Sequence, residues 1–209
     1  MINLSIAITV HNEGEMLQQC INSFKHQRID GDEVIILDDF SDDMDTRKIL
    51  DRNEVGARVI QNKFMGNFAD HKNFLNGLCK NPWILQLDAD EETPEGFLSI
   101  LRDVIETNEG VDAFRIARIN TVEGITANHI HKWQWRINDE GWINWPDYQT
   151  RLYRNDSNIK WVCKVHEQLV GTKAYSILPM DPQLALIHRK TIDRQEKQNE
   201  LYDRICREG

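Results

Sequence analysis

Trp83-Ile84-Leu85-Gln86-Leu87-Asp88-Ala89-Asp90-Glu91-Glu92 passes from an apolar run to four acids in its last five positions. A short apolar run of this kind reads as a buried strand. The abrupt change to charge marks its carboxyl end, the edge where open α/β sheets bind ligands. Side chains at i and i+2 of a strand point the same way. Asp88 and Asp90 therefore aim at one point, and Ala89 between them is too small to crowd it. Paired carboxylates at such an edge suit a hard divalent cation that also holds phosphates. The competing reading is a solvated turn leading into a helix, because Thr93-Pro94-Glu95 resembles a helix start with Pro at its first position. An EF-hand is excluded: Thr93 stands where that loop needs Gly, and Ser99 where it needs a bidentate Glu.

Working outward, residues 4–10 (Leu-Ser-Ile-Ala-Ile-Thr-Val) read as a buried strand. A helix follows over 15–25, with Leu17, Cys20, Ile21 and Phe24 at helical spacing. Val34-Ile35-Ile36-Leu37 is a second buried strand and ends in Asp38-Asp39-Phe40-Ser41-Asp42-Asp43. A polar helix over 43–53, a strand at 57–60, a helix over 68–80 with Phe74, Leu75, Leu78 and Cys79 as its apolar face, the strand at 83–87 and a helix at 95–107 complete the run. This β-α alternation predicts a parallel sheet with crossover helices. Both aspartate clusters fall at strand carboxyl ends.

The second half changes character. Short strands are expected at 113–119, 150–154, 159–163 and 184–188. Five of the six tryptophans (133, 135, 142, 145 and 161) fall within 29 residues, with Tyr148 and Tyr153 among them. Such rings either pack a mixed sheet or form a platform for a sugar or another planar-faced ligand. Residues 189–209 are highly charged and read as a polar C-terminal helix, frayed at its end. There is no internal repeat and no low-complexity linker.

The 209 residues suggest one domain of residues 1–188 with this helix as an appendage. Within it, residues 1–110 carry the β-α alternation and residues 111–188 the mixed, aromatic-rich half. A hydrophobic content of 40% and a charged content of 28% fit a soluble globular chain. The net charge of -9 argues against a broad nucleic-acid-binding face. No apolar stretch approaches the roughly 20 residues needed to span a bilayer. The opening Met-Ile-Asn-Leu-Ser has no basic run and enters a strand directly, so no signal peptide is expected. Cys20, Cys79, Cys163 and Cys206 form no Cys-x-x-Cys pair, which suggests a reduced, cytoplasmic protein with cysteines in core positions.

Taken together, four stretches resemble a known family. Ile8-Thr9-Val10-His11-Asn12-Glu13, Leu37-Asp38-Asp39-Phe40-Ser41-Asp42-Asp43, His71-Lys72-Asn73 and Leu87-Asp88-Ala89-Asp90-Glu91 stand in the order and spacing of family-2 glycosyltransferases with a GT-A fold. A further stretch, Asp147-Tyr148-Gln149-Thr150-Arg151-Leu152-Tyr153-Arg154 with Trp161 and Val165-His166-Glu167, resembles a subgroup that includes lipopolysaccharide-core glucosyltransferases. The Gln-x-x-Arg-Trp ending of processive synthases is absent.

The resemblance implies an open, mainly parallel α/β sheet with a smaller mixed C-terminal part, and a sugar transferred from a nucleotide donor, with a UDP-sugar favoured. Asp88 and Asp90 would hold Mn²⁺ or Mg²⁺, one of them through water, and neutralise charge growing on the diphosphate. His188 stands where this fold often places a third ligand. Thr9, His11, Glu13, Asp38, Asp39, Lys72, Asp88 and Ala89 would line the nucleotide-sugar site. There His11 stacks on a pyrimidine, Asp39 or Asp38 accepts from base or ribose, and Lys72 meets the diphosphate. Inverting transfer needs a general base, for which Glu167 and Asp147 are the candidates, with Glu167 favoured and His166 orienting it. Trp145, Tyr148, Gln149, Arg151 and His166 would shape the acceptor side. The acceptor stays open among a glycan, a lipid-linked saccharide, a protein and a modified nucleic acid. Two rivals stand beside this reading. A nucleotidyltransferase would carry a Gly-rich basic loop where this chain has acidic His11-Asn12-Glu13-Gly14-Glu15. A non-catalytic sugar- or nucleotide-binding module would not need the paired aspartates and both base candidates.

Overall fold

A computed structural model describes residues 2–207 of the chain. Four parallel strands, β1 (Leu4–Val10), β2 (Glu33–Asp38), β3 (Arg58–Gln61) and β4 (Trp83–Asp88), lie in the order β3-β2-β1-β4. Their residue parity decides which helix each side chain meets. Leu4, Ile6, Ile8 and Val10 of β1, with Leu85 and Leu87 of β4, join a core with helices α1 (Glu15–Phe24) and α4 (Phe97–Thr107). Ala7, Ile35, Leu37 and Ile84 face the other way, onto α3 (Phe68–Asn76). A parallel strand covered on both faces must be apolar on both, hence the continuous apolar runs. Helix α2 (Met44–Arg52) links β2 to β3, and its N-cap Asp43 accepts from the backbone N–H of Asp45 and Thr46.

The second half adds strands to the same sheet. The long β7 (Ile143–Arg154) runs antiparallel to β4 on one side and to β6 (Ala113–Glu123) on the other. Next to β6 come β11 (Leu186–Thr191) and then β5 (Glu91–Glu92), while β10 (Tyr175–Ile177) pairs with the start of β6. A separate hairpin, β8 (Lys160–Val162) and β9 (Gln168–Val170), packs on α3. Between β6 and β7 lies a short helix, α5 (Ala127–Trp133), and α6 (Ile192–Arg207) follows β11. This is the open α/β sheet of the GT-A fold, as the sequence suggested.

Several local expectations are corrected. Pro94 does not open α4, which starts at Phe97 after Gly96 in the left-handed region. The segment before it is tied down on α1 and the turn after it instead: Thr93 N–H donates to Ser23 Oγ (2.9 Å), and Gln27 Nε2 donates to the Pro94 carbonyl (2.8 Å). Phe74 is exposed rather than part of the buried stripe of α3, which is Ala69, His71, Lys72 and Leu75. That stripe faces the sheet and the hairpin, so a polar His and Lys are drawn inward to the site. The polar terminal helix begins at Ile192, because β11 continues through the charged Arg189 and Lys190. Cys20 is buried and Cys79 half-buried, but Cys163 and Cys206 are exposed, so the core reading fails for those two. Among the described residues, no helix is long and apolar enough to cross a membrane.

Candidate active site

Strand order reverses at β1: β2 follows it on one side and β4 lies on the other. Crossover connections diverge there, which leaves a crevice at the carboxyl ends of β1 and β4. Thr9 stands in register with Asp88. A cavity of about 1410 Å³ opens at this point, and Thr9, His11, Glu13, Asp39, Lys72, Asp88, Ala89 and Asp90 line it. Parity separates the two adjacent aspartates of β2. Asp39 continues the face of Ile35 and Leu37 and reaches the cavity. Asp38 continues the face of Val34 and Ile36; it is buried and accepts from the Ser41 N–H (2.9 Å) and Gln61 Nε2 (3.1 Å). The structure thus removes Asp38 from the expected nucleotide set and makes it a turn residue. His11 Nδ1 donates to the Asp39 carbonyl (2.7 Å), and Asp39 Oδ1 accepts from the Phe64 N–H (2.8 Å). These two bonds pin the mouth of the crevice.

Asp88 and Asp90 both open into the cavity but are held by different partners. Arg151 of β7 lies under Asp88, with Nη2 2.5 Å from Oδ2, and the same nitrogen is 2.6 Å from the fully buried Glu91. Burial opposes ionisation of Asp88, but the Arg151 guanidinium, with help from Lys72, outweighs it and holds the carboxyl well below the usual range. Asp90 Oδ2 is 3.2 Å from His188 Nε2 and 3.1 Å from Arg194 Nη2, and Arg194 also pairs with Glu13. Burial lowers the proton affinity of His188 despite Asp90, which favours the neutral ring. Its Nδ1 bonds Asn120 Oδ1 (2.7 Å), which orients it. Asp88, Asp90 and His188 are not assembled as a three-ligand set: Arg151 lies 2.5 Å from Asp88 Oδ2, and only Asp90 stands beside His188, with Arg194 as a looser neighbour at 3.1 Å. Among the described residues no group of three His, Cys, Asp or Glu is set to hold a metal ion. Asp90 with His188 is the pair that fits one, a carboxylate oxygen beside a neutral imidazole nitrogen, with room for phosphate oxygens to complete the shell.

The two base candidates both line the cavity and both pair with a cation, but they differ in the number of donors that hold them. Asp147 accepts from Arg118 (Nε 3.0 Å, Nη2 2.7 Å), Asn120 (2.9 Å) and Gln149 (2.7 Å). Burial raises its proton affinity, but Arg118 and the amide donors more than reverse this, so its lone pairs are engaged and its basicity is low. Glu167, at the turn before β9, lines the cavity and meets Lys72 Nζ at 2.5 Å; both side chains are largely buried. Lys72 therefore pairs with Glu167 rather than standing free for a diphosphate, and Lys72, not His166, orients that carboxylate. His166 packs its ring against Tyr202 of α6 (5.5 Å).

On the acceptor side, Tyr148 and Gln149 line the cavity. Arg151 and His166 line it too, Arg151 from beneath Asp88. Trp145 is elsewhere: it packs edge-on against Trp142 (5.0 Å) over a patch of Ala117, Ile119 and Ala185.

Residues 5–175, most of the chain, match the family model described as Glycosyl transferase family 2. This chain belongs to glycosyl transferase family 2. An uncharacterized glycosyltransferase of Rickettsia bellii is 36% identical over 89 residues, 43% of this chain and 28% of that protein. The glycosyltransferase SunS of Bacillus phage SPbeta is 22% identical over 165 residues, 79% of this chain and 34% of that protein. This chain thus spans about a third of the length of these curated relatives. Staphylococcus aureus TarS shares the fold with a TM-score of 0.65 at 17% identity, over 98% of this chain and 39% of TarS. TarS residues 1–349 have also been solved with UDP and with UDP-GlcNAc.

In this family-2 chain, sequence reading missed a cationic frame behind the aspartates. Arg151 is buried on β7, Arg118 is half-buried on β6, and the two share Glu91 between them. A signal was present: Arg118 interrupts Ile116-Ala117-Arg118-Ile119, and a charge at an inward strand position requires a partner. Glu91 was visible only as one more acid in a turn. Arg194 and Tyr202 of α6 also reach the cavity, and nothing in their charged surroundings marked them out.

Proposed function

We propose that this chain is the catalytic unit of a glycosyltransferase that takes a UDP-sugar and transfers the sugar with inversion. One observation carries the reading. The crevice at the strand-order reversal gathers Thr9, Asp39, Asp88 and Asp90, and a carboxylate from the second half, Glu167, opens into the same cavity. A nucleotide needs the first group and an acceptor hydroxyl the second. TarS, of the same fold, has been solved with UDP-GlcNAc, which supports a uridine donor.

The roles follow from placement. Asp39 and His11 at the mouth of β1 and β2 receive base and ribose. Arg151 keeps Asp88 ionised and fixed, and Asp90 with His188 would hold a divalent cation. When bound, that cation neutralises charge on the departing diphosphate. Glu167 takes the proton of the acceptor hydroxyl. The freed oxygen attacks the anomeric carbon from the side opposite the diphosphate, and the bond from that carbon to the diphosphate oxygen breaks. The nucleoside diphosphate leaves with the bonding electrons. Asp147, saturated with donors, braces the frame.

The test is calorimetric titration of UDP with and without Mn²⁺, followed by a screen of nucleotide sugars for hydrolysis. Binding that appears only with the cation, and vanishes in Asp90→Ala, is the expected outcome. Equal affinity in chelator would remove the cation from the mechanism. No binding of any nucleotide would overturn the reading.

A further inference from the structure

Six tryptophans sort into two kinds. Trp83 and Trp161 are buried in the two main cores, and Trp142 and Trp145 cover the Ala117, Ile119 and Ala185 patch. Trp133 and Trp135 belong to none of these cores, yet both are half-buried and both line the cavity. Their rings lie 4.7 Å apart at 43°, and His129 stacks on Trp133 at 5.2 Å and 14°. The backbone fixes them. Helix α5 carries a capping box between Thr126 and His129 and ends at Gln134 in the left-handed region, with the Trp135 N–H returned to the Ile130 carbonyl (3.0 Å). Helix α5 buries none of its own residues. Core packing therefore does not account for two large rings held at a cavity wall.

We infer that Trp133 and Trp135 form an acceptor subsite for a carbohydrate, stacking the apolar face of a pyranose ring. This rests on the proposed transfer reaction, which requires an acceptor beside the donor. The cavity's 1410 Å³ exceeds the upper range of about 1,000 Å³ for small-molecule sites, as expected for one that takes two substrates. A sugar ring presents C–H groups on its faces and hydroxyls at its edges, so it wants an aromatic plane bordered by neutral hydrogen-bonding groups. Thr121 and Asn144 line the cavity from the strands on either side of α5, and Thr150 lies further along β7. A stacked nucleic-acid base would also fit two tryptophans, but a chain of net charge -9 repels a polyanion.

The experiment pairs two readouts on the whole chain. Wild-type protein with UDP and Mn²⁺ is applied to an array of immobilised short oligosaccharides of hexoses and N-acetylhexosamines, with peptides and single-stranded oligonucleotides as further spots. UDP affinity is measured in parallel by calorimetry. Wild type is expected to capture a class of oligosaccharide. Trp133→Ala and Trp135→Ala should each weaken capture about tenfold, the size of a lost stacking contact, with UDP affinity unchanged. Trp133→Phe and Trp135→Phe keep a ring and should retain most of the capture. No oligosaccharide captured by wild type, capture undiminished in the alanine variants, or capture of peptide or oligonucleotide in place of sugar would overturn the inference. If UDP fails to bind while sugar capture still depends on the two rings, the subsite stands and the donor reading falls.

Discussion

At the scale of single residues, neighbouring carboxylates with the same chemistry do different work because their partners differ. Glu167→Gln keeps size and hydrogen bonding but removes basicity. It is expected to leave UDP affinity intact and to lower turnover about 10²–10⁴-fold, the usual contribution of a general base. Asp147→Asn is expected to act on stability instead, costing about 1–3 kcal/mol through its lost charged hydrogen bonds, as read by urea unfolding. The reverse pattern would exchange their roles. The adjacent aspartates of β2 make a second pair. Asp38→Ala strands the buried Ser41 N–H, while the exposed Gln61 amide can turn to water, and should destabilise by about 1–3 kcal/mol without weakening UDP binding. Asp39→Ala should weaken UDP binding by about 1.5–3 kcal/mol, the range for hydrogen bonds to a charged group. Equal loss of affinity in both variants would refute the parity assignment.

At the scale of elements, α6 is part of the site rather than a trailing appendage. Its Arg194 bridges Glu13 and Asp90, and its Tyr202 meets Phe68 edge-on at 5.7 Å as well as His166. A guanidinium at Asp90 competes with any other cation for the same oxygen. Arg194→Gln should therefore strengthen Mn²⁺ binding to the nucleotide-free protein several-fold, measured by the decrease in free Mn²⁺ signal in electron paramagnetic resonance. Unchanged or weaker binding would show that Arg194 does not shield Asp90. The aromatic contacts are short-range and few, so α6 is expected to open before the sheet does. Hydrogen exchange along α6 should be faster than along β1 and β4, and UDP should slow it. Equal protection of helix and sheet would contradict this.

At the scale of the molecule, buried ionisable groups along the cavity couple stability to pH. His71 of α3 is buried, and burial lowers its proton affinity, with Lys72 adding to the effect and Asp39 opposing it. In the unfolded chain a histidine takes up a proton near pH 6.5, while in the fold it does so only at lower pH. Between those two values the unfolded state binds more protons, so stability falls as pH falls below about 6.5. The decline reaches at most about 1.4 kcal/mol per pH unit from this residue. Urea unfolding across that window should show a shallower slope for His71→Gln than for wild type. Parallel slopes would exclude His71 as a source of the dependence. Asp88 and Asp147 act lower on the scale. Their depressed proton affinities stabilise the fold above the ordinary carboxyl value of 3.8, and this is lost as pH falls further through the folded-state values.

Strand and helix order in the first half, the crevice at strand carboxyl ends and the family were legible in the amino-acid pattern. These rest on short-range periodicity: Ile6 and Ile8 face one helix layer and Ala7 the other whatever else the chain does. Parity along β2 would have separated Asp39 from Asp38 as well, since Asp38 ends one uninterrupted strand and Asp39 directly follows it. Which charges meet was set by the packing of distant segments. Arg151 reaches Asp88 across 63 positions, Lys72 reaches Glu167 across 95, and Arg194 reaches Asp90 across 104. No local pattern encodes such pairings, because they depend on which strands become neighbours in the finished sheet. The same holds for the tryptophans. Their composition announced either a core or a platform, and it took the packing of β6, β7 and α5 to place Trp142 and Trp145 in the first and Trp133 and Trp135 at the open wall of the cavity.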